Sequence, residues 1–274
     1  MRKYSLLFIG LAFACTGKPV QVQADPLEEK KPVPVIAGFA LTPEDLEGAI
    51  SGFERLDKAA VTADPEDFLT LISNIMSDDD ALFHLVDKEH SLGESFVPTD
   101  LVELSAMDIV VNRAGMQLRK EPAEALEAMC RAAAAEGITL DISSAYRSYS
   151  YQDALFQNSI KRIGEEATRR ELAVPGTSQH QLGSTIDFGT VDERFAKTKA
   201  YAWLQKNAGK YGFVISYPED DEEFTGYIFE SWHYRYLTVS GANLCEKYFN
   251  GSQQAMMLFL HNQTSWFMMR RHLK

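Results

Sequence analysis

Two short stretches, SQHQLGSTID (178–187) and ESWHYRY (230–236), constrain the fold more than any other part of the chain. Each sets an imidazole near a carboxylate, and each runs into a strand-like pattern. Between them lies FAKTKAYAWLQKNAGKYG (195–212), whose apolar spacing is that of a helix. For the stretches to act together, the chain must return across that helix and bring two short strands to one place. Gly183 lies between His180 and Asp187 and can take backbone angles that other residues resist, so a turn there can aim both side chains at one point. The alternation in STIDF sets Asp187 on a strand. Glu230 precedes His233 by three positions, which would place them on opposite faces of a regular strand, so a local kink is expected.

A catalytic zinc site takes three protein ligands from imidazole and carboxylate groups and keeps one position open. His180, Asp187 and His233 are such a set, and Glu230 then falls close to where a general base must stand. Residue types and spacing alone also suit ordinary hydrogen-bonded polar residues of a folded domain, and at this level both readings stay open.

The rest of the chain supplies the frame. Arg2 and Lys3 precede an apolar run from Tyr4 to Ala14, too short to span a bilayer and suited to a secretory signal. The run stops at Cys15, behind Leu11 and Ala14, which resembles a bacterial lipoprotein cleavage box. A plain signal-peptidase site at VQA (22–24) is the alternative. Either way the mature chain is expected outside the cytoplasm, in the periplasm or cell envelope, with attachment through a lipid on Cys15. Cys130 and Cys245 are read as buried small hydrophobes, with a disulfide between them as the alternative, and not as metal ligands.

Residues 16–40 read as a linker and 41–90 as a helical region. Thr42–Pro43 and Asp64–Pro65 mark helix starts there. A helix over 121–137, a strand through ITLDISSAYRS, a second long helix from Tyr151 and the two opening stretches follow. Residues 250–274 read as a terminal helix packed on the domain. The strands are too few and too close for a doubly wound sheet, so the class is α+β. With 39 acidic and 27 basic residues the net charge is -12, which argues against nucleic acid as a partner.

The motif S-x-H-x-x-G-x-x-x-D at 178–187 and E-x-x-H at 230–233 resemble those of the VanY-like D-alanyl-D-alanine carboxypeptidases. SSAYRSYSYQ (143–152), PGTSQHQLG (175–183), YGFVISYP (211–218) and TGYIFESWHYRY (225–236) match in the family's order, over roughly 88–245. The resemblance implies a small antiparallel sheet backed by helices, shared with Hedgehog proteins, and a zinc peptidase domain over 91–249. It implies Zn2+ held by His180, Asp187 and His233, Glu230 as catalytic base, and Arg147, Gln152 and Ser178 as substrate-holding residues, with Arg147 also steadying the oxyanion. The implied activity trims the terminal D-alanine of peptidoglycan stem peptides. An L,D-carboxypeptidase on the same scaffold and a non-catalytic envelope-binding lipoprotein are the alternatives. Gln179 stands where the family usually has Glu, Thr185 where it has Ala, and Ser216 where an arginine is common.

Overall fold

The computed structural model describes residues 35–271. The signal segment, Cys15 and the VQA site lie outside the described residues, as does most of the linker. The described chain begins with a hairpin inside the stretch read as linker, β1 (Val35–Ile36) and β2 (Phe39–Ala40), turned at Ala37 and Gly38. Phe39 is fully buried, edge-on to Phe267.

Helix starts fall where the capping signals stand. Helix α1 (Pro43–Ile50) opens with a capping box: Thr42 Oγ1 accepts from the Asp45 amide at 3.1 Å, and the Asp45 carboxylate accepts from the Thr42 amide at 2.8 Å. After α2 (Lys58–Ala63), Asp64 caps α3 (Pro65–Ile75). The helical reading of 41–90 is only partly met. Beyond Met76 the acidic run 78–80 offers side-chain oxygens that compete with helical hydrogen bonds. Asp79 accepts from the Ala81 amide and starts a 3-10 turn (Asp80–Phe83), and Asp87 accepts from the Glu89 and His90 amides in a loop.

A short pair, β3 (Leu101–Glu103) and β4 (Gln117–Arg119), precedes α4 (Lys120–Ala135), which ends as expected before Gly137 at positive φ. After β5 (Ile142–Ser144), the long helix read from Tyr151 is broken. Gly164 at φ 84° divides it into α5 (Tyr149–Ile163) and α6 (Glu165–Glu171). Then come β6 (Thr185–Phe188), α7 (Lys199–Asn207), β7 (Phe213–Ile215), the short α8 (Glu222–Thr225), β8 (His233–Tyr236), α9 (Thr238–Phe249) and α10 (Gln253–Arg270). Helix α7 is shorter than the 195–212 pattern because Thr198 caps it and 3-10 turns flank it.

Strands β5, β6, β8 and β7, in that order, form one antiparallel sheet. Its register sets Asp187 of β6 directly opposite His233 of β8, and Ser144 of β5 opposite Asp187. This is the α+β architecture expected, with a small antiparallel sheet backed by helices. Leu126, Met129 and Ala133 of α4 pack under the sheet with Ile142, Ile186 and Phe188, all fully buried. Each such aliphatic or aromatic side chain contributes roughly 1.5–3 kcal/mol. A second core joins α1–α3 to α9 and α10 through Phe68, Leu69, Leu244, Met256 and Phe259. Cys130 belongs to the first core and Cys245 to the second. Both are buried and free, as the reading of two small hydrophobes requires.

Helix α10 is buried around much of its circumference, including its first turn, where Gln253 and Gln254 are both enclosed. Buried amides need partners. Gln254 donates to Asp87 at 2.6 Å, and Gln253 reaches the site described next. Among the described residues, no helix is long and apolar enough to cross a membrane.

Candidate active site

His180 sits on a 3-10 turn (Gln179–Leu182) that ends at Gly183 in the left-handed region, φ 70°. Glycine is favoured there: the positive φ strains other residues, and an added Cβ would lie 3.0 Å from Arg119 Cγ and 3.1 Å from Leu101 Cδ2. That tight turn delivers the chain into β6 at Thr185, two residues before Asp187, which stands opposite His233. The kink expected before His233 is present as a turn. The His233 amide donates to the Glu230 carbonyl at 3.2 Å, and the Glu230 amide donates to the Tyr217 carbonyl at 3.0 Å. Both side chains therefore face one place despite their spacing.

His180, Asp187 and His233 converge, each offering one candidate ligand atom, and these three atoms lie within 4.8 Å of one another. His180 Nε2 lies 3.2 Å from Asp187 Oδ2, and His233 Nδ1 lies 3.1 Å from Asp187 Oδ1 and 3.4 Å from Glu230 Oε2. The far ring atoms are fixed by acceptors. His180 Nδ1 donates to the Ala145 carbonyl at 2.7 Å, so its Nε2 presents a lone pair. His233 Nε2 lies 3.2 Å from Gln179 Oε1, an oxygen that can only accept; with the proton on Nε2, Nδ1 is left with a lone pair for a metal. His180 Nε2 and Asp187 Oδ1 are buried without a hydrogen-bond partner. Orphaned donor atoms of this kind, aimed at one point, suit a divalent cation.

Arg147, just past β5, lies within 3.3 Å of Asp187 through Nη2 and donates to Gln152 Oε1 at 3.0 Å through Nη1. Gln152 is in turn held by donating to the Ala173 carbonyl at 2.7 Å. Arg147, Gln152 and Ser178, with Tyr217, Tyr227, Glu230 and His233, line a recess of only about 30 Å³. On its other side Arg147, with Asp187, Glu230 and Trp232, borders an open cavity of about 280 Å³, and Glu230 and Trp232 also border a neighbouring one of about 560 Å³. All seven residues read from the sequence are thus brought together around the recess and its neighbouring cavity.

The buried charges perturb one another. Burial and the Arg147 guanidinium push His180 down to about 4, so it is neutral and available as a ligand at neutral pH. Burial alone would raise Asp187, but His180 and His233 hold its carboxyl well below the usual range. Burial and the Asp187 charge push Glu230 well above its ordinary value, with Arg147 opposing.

A sequence profile of the VanY D-alanyl-D-alanine carboxypeptidases matches residues 115–239. The bifunctional D-Ala-D-Ala dipeptidase and carboxypeptidase VanXYC of Enterococcus gallinarum is 32% identical over 163 residues, covering 56% of this chain and 82% of that protein. The chain belongs to the VanY family. Among solved structures, the LdcB LD-carboxypeptidase aligns with TM-score 0.60 and 33% identity, over 65% of this chain and 86% of that one. A VanY D,D-pentapeptidase in complex with Zn(II) aligns with TM-score 0.55 and 26% identity, over 65% and 99%. The chain spans 62% and 50% of the length of two further curated relatives it matches.

Sequence reasoning gave no role to Tyr217, which lies inside the matching stretch 211–218 with its ring 4.9 Å from that of His233, or to Gln253, which donates to Ser216 and accepts from Gln179. Gln253 lies beyond the matched segment. The one sequence signal for it was indirect, in the unusual residues at 179 and 216.

Proposed function

We propose that the protein is a zinc-dependent D-alanyl-D-alanine carboxypeptidase that removes the terminal D-alanine of peptidoglycan stem peptides in the cell envelope. The observation that carries this reading is the buried Arg147, which with Glu230 lines both a recess of only about 30 Å³ and a neighbouring cavity of about 280 Å³. A recess that small leaves little room past the cut bond, which suits an exopeptidase, and an arginine fork lining it suits a free terminal carboxylate.

His180, Asp187 and His233 would hold the metal. A zinc ion there supplies a Lewis acid that polarises the scissile carbonyl and makes a water nucleophilic at neutral pH. Glu230 Oε2, next to the ligand set, takes the proton from that water and returns it to the leaving amine. Arg147, held by Gln152, fixes the terminal carboxylate, and Ser178 offers a hydroxyl at the recess wall. The cavity lined by Trp232, Leu155 and Val191 receives the preceding stem residues. A binding module would have no use for a buried Glu230 beside a ligand set, which disfavours the non-catalytic alternative. The 33% identity to LdcB favours L,D-cleavage of a tetrapeptide stem as the second reading.

Arg147→Lys replaces a planar fork by a single ammonium. It is expected to lower kcat/KM on a pentapeptide stem by roughly 10–100-fold, mainly through KM. A C-terminally amidated pentapeptide should be equally poor with the parent enzyme. Comparable turnover of the amidated and free-acid peptides by the parent would refute carboxylate recognition.

A further inference from the structure

Two of the family departures touch. Ser216 Oγ donates to Gln179 Oε1 at 2.7 Å, and that same oxygen faces His233 Nε2 at 3.2 Å. Gln253 closes the group. Its Nε2 donates to Ser216 Oγ at 2.9 Å, and its Oε1 accepts from Gln179 Nε2 at 3.0 Å. All three side chains are at most 3% exposed, so water does not compete for these bonds.

We infer that Gln253, on α10, is a positioning residue for His233, acting through Ser216 and Gln179. The inference rests on the reading of His180, Asp187 and His233 as a zinc set. A glutamate at 179 would bury a negative charge that needs a cation nearby, the arginine common at 216. Here both positions are neutral, and the change at one is matched by the change at the other. A neutral amide must be oriented to be useful, since only its oxygen can accept from His233 Nε2. Gln253 supplies that orientation twice over. It accepts from the Gln179 nitrogen, turning the Gln179 oxygen toward the imidazole, and it donates to Ser216, leaving the Ser216 hydroxyl proton for the same oxygen. With Nε2 holding its proton, His233 Nδ1 offers its lone pair beside Asp187. The terminal helix, outside the segment matched by the family, thereby becomes part of the ligand set's support.

The test is zinc affinity, measured by competition with a chromogenic chelator on the full chain, for the parent, Gln253→Met and Ser216→Ala. Methionine keeps length and apolar packing while removing both hydrogen bonds. Partners that orient metal-bound histidines are worth roughly 10–100-fold in metal affinity or activity. Each variant should therefore bind zinc about tenfold or more weakly, with KM for the peptide unchanged. Nitrogen-15 NMR of the metal-free chain should show the His233 Nε2–H form dominant in the parent and reduced in both variants. A merely structural role predicts otherwise: a lower unfolding temperature for the metal-free chain, with zinc affinity and tautomer as in the parent. That result overturns the inference. Should Gln253→Met not fold, Ser216→Ala, which deletes one hydroxyl, decides alone. Zinc uptake by the parent tests the underlying reading separately, and a parent that binds no zinc overturns both.

Discussion

Replacing Glu230 by glutamine is expected to stabilise the metal-free protein at neutral pH while lowering turnover by roughly 10²–10⁴-fold, the range for removal of a general base. The stabilisation follows from the sign of the shift. Burial, then the Asp187 charge, raises the Glu230 carboxyl well above its ordinary value in the folded chain. The folded state therefore holds this proton more tightly than the unfolded state does. The penalty is absent below about pH 4.5, the unfolded range, and grows as the pH rises toward the raised folded value. Glutamine carries no charge and escapes it. Thermal unfolding of chelator-treated protein should give a higher Tm for Glu230→Gln at pH 7 and a vanishing difference toward pH 4. A domain of this size gains about 2–4 °C for each kcal/mol. A lower Tm at pH 7 would show that Glu230 is instead held by its partners as a stabilising anion.

Asp187→Asn should do the opposite. Burial pushes the Asp187 carboxyl up, but His180 and His233 outweigh that and hold it well below its ordinary value. Its contribution is present above the unfolded pKa and is lost as the pH falls through the depressed folded value. Asparagine leaves the Arg147 guanidinium, whose side chain is 11% exposed, without its carboxylate. Breaking a buried pair by removing one partner costs about 3–5 kcal/mol. The Tm of the metal-free protein should therefore fall by roughly 6–20 °C at pH 7, and the difference should shrink in acid. Zinc binding should be lost as well, because the one carboxylate of the ligand set is gone. Two buried carboxylates that both approach His233 Nδ1 are thus expected to affect stability with opposite signs. That contrast separates a base held ready from an anion already paired.

The candidate site was more legible than the scaffold that supports it. His180, Gly183 and Asp187 sit within one turn and one strand, so local sequence carries their geometry. Glu230 and His233 are likewise close in the chain, and their awkward spacing announced the turn that aims both inward. Helix starts at Thr42 and Asp64 were legible because their capping bonds are local. The break at Gly164 was not, since an isolated glycine inside a helical pattern is often tolerated. The helical reading past Met76 failed because Asp79 and Asp87 bind nearby amides rather than continuing a helix. The role of α10 was invisible for a different reason. Its burial has little one-sided period, and Gln253 meets Ser216 and Gln179 from 37 and 74 residues away along the chain. No local pattern encodes such a contact. Only the paired oddity of a neutral residue at 179 and another at 216 hinted that a new partner had been found.

The most direct measurement is mass spectrometry of defined muropeptides incubated with zinc-loaded protein, chelator-treated protein and zinc-loaded Glu230→Gln. The account predicts loss of a single alanine from the pentapeptide with zinc-loaded parent only, and no change in the tetrapeptide. Shortening of the tetrapeptide alone would move the assignment to the L,D class. An unchanged pentapeptide and tetrapeptide, or cleavage that survives chelation or the loss of Glu230, would contradict it.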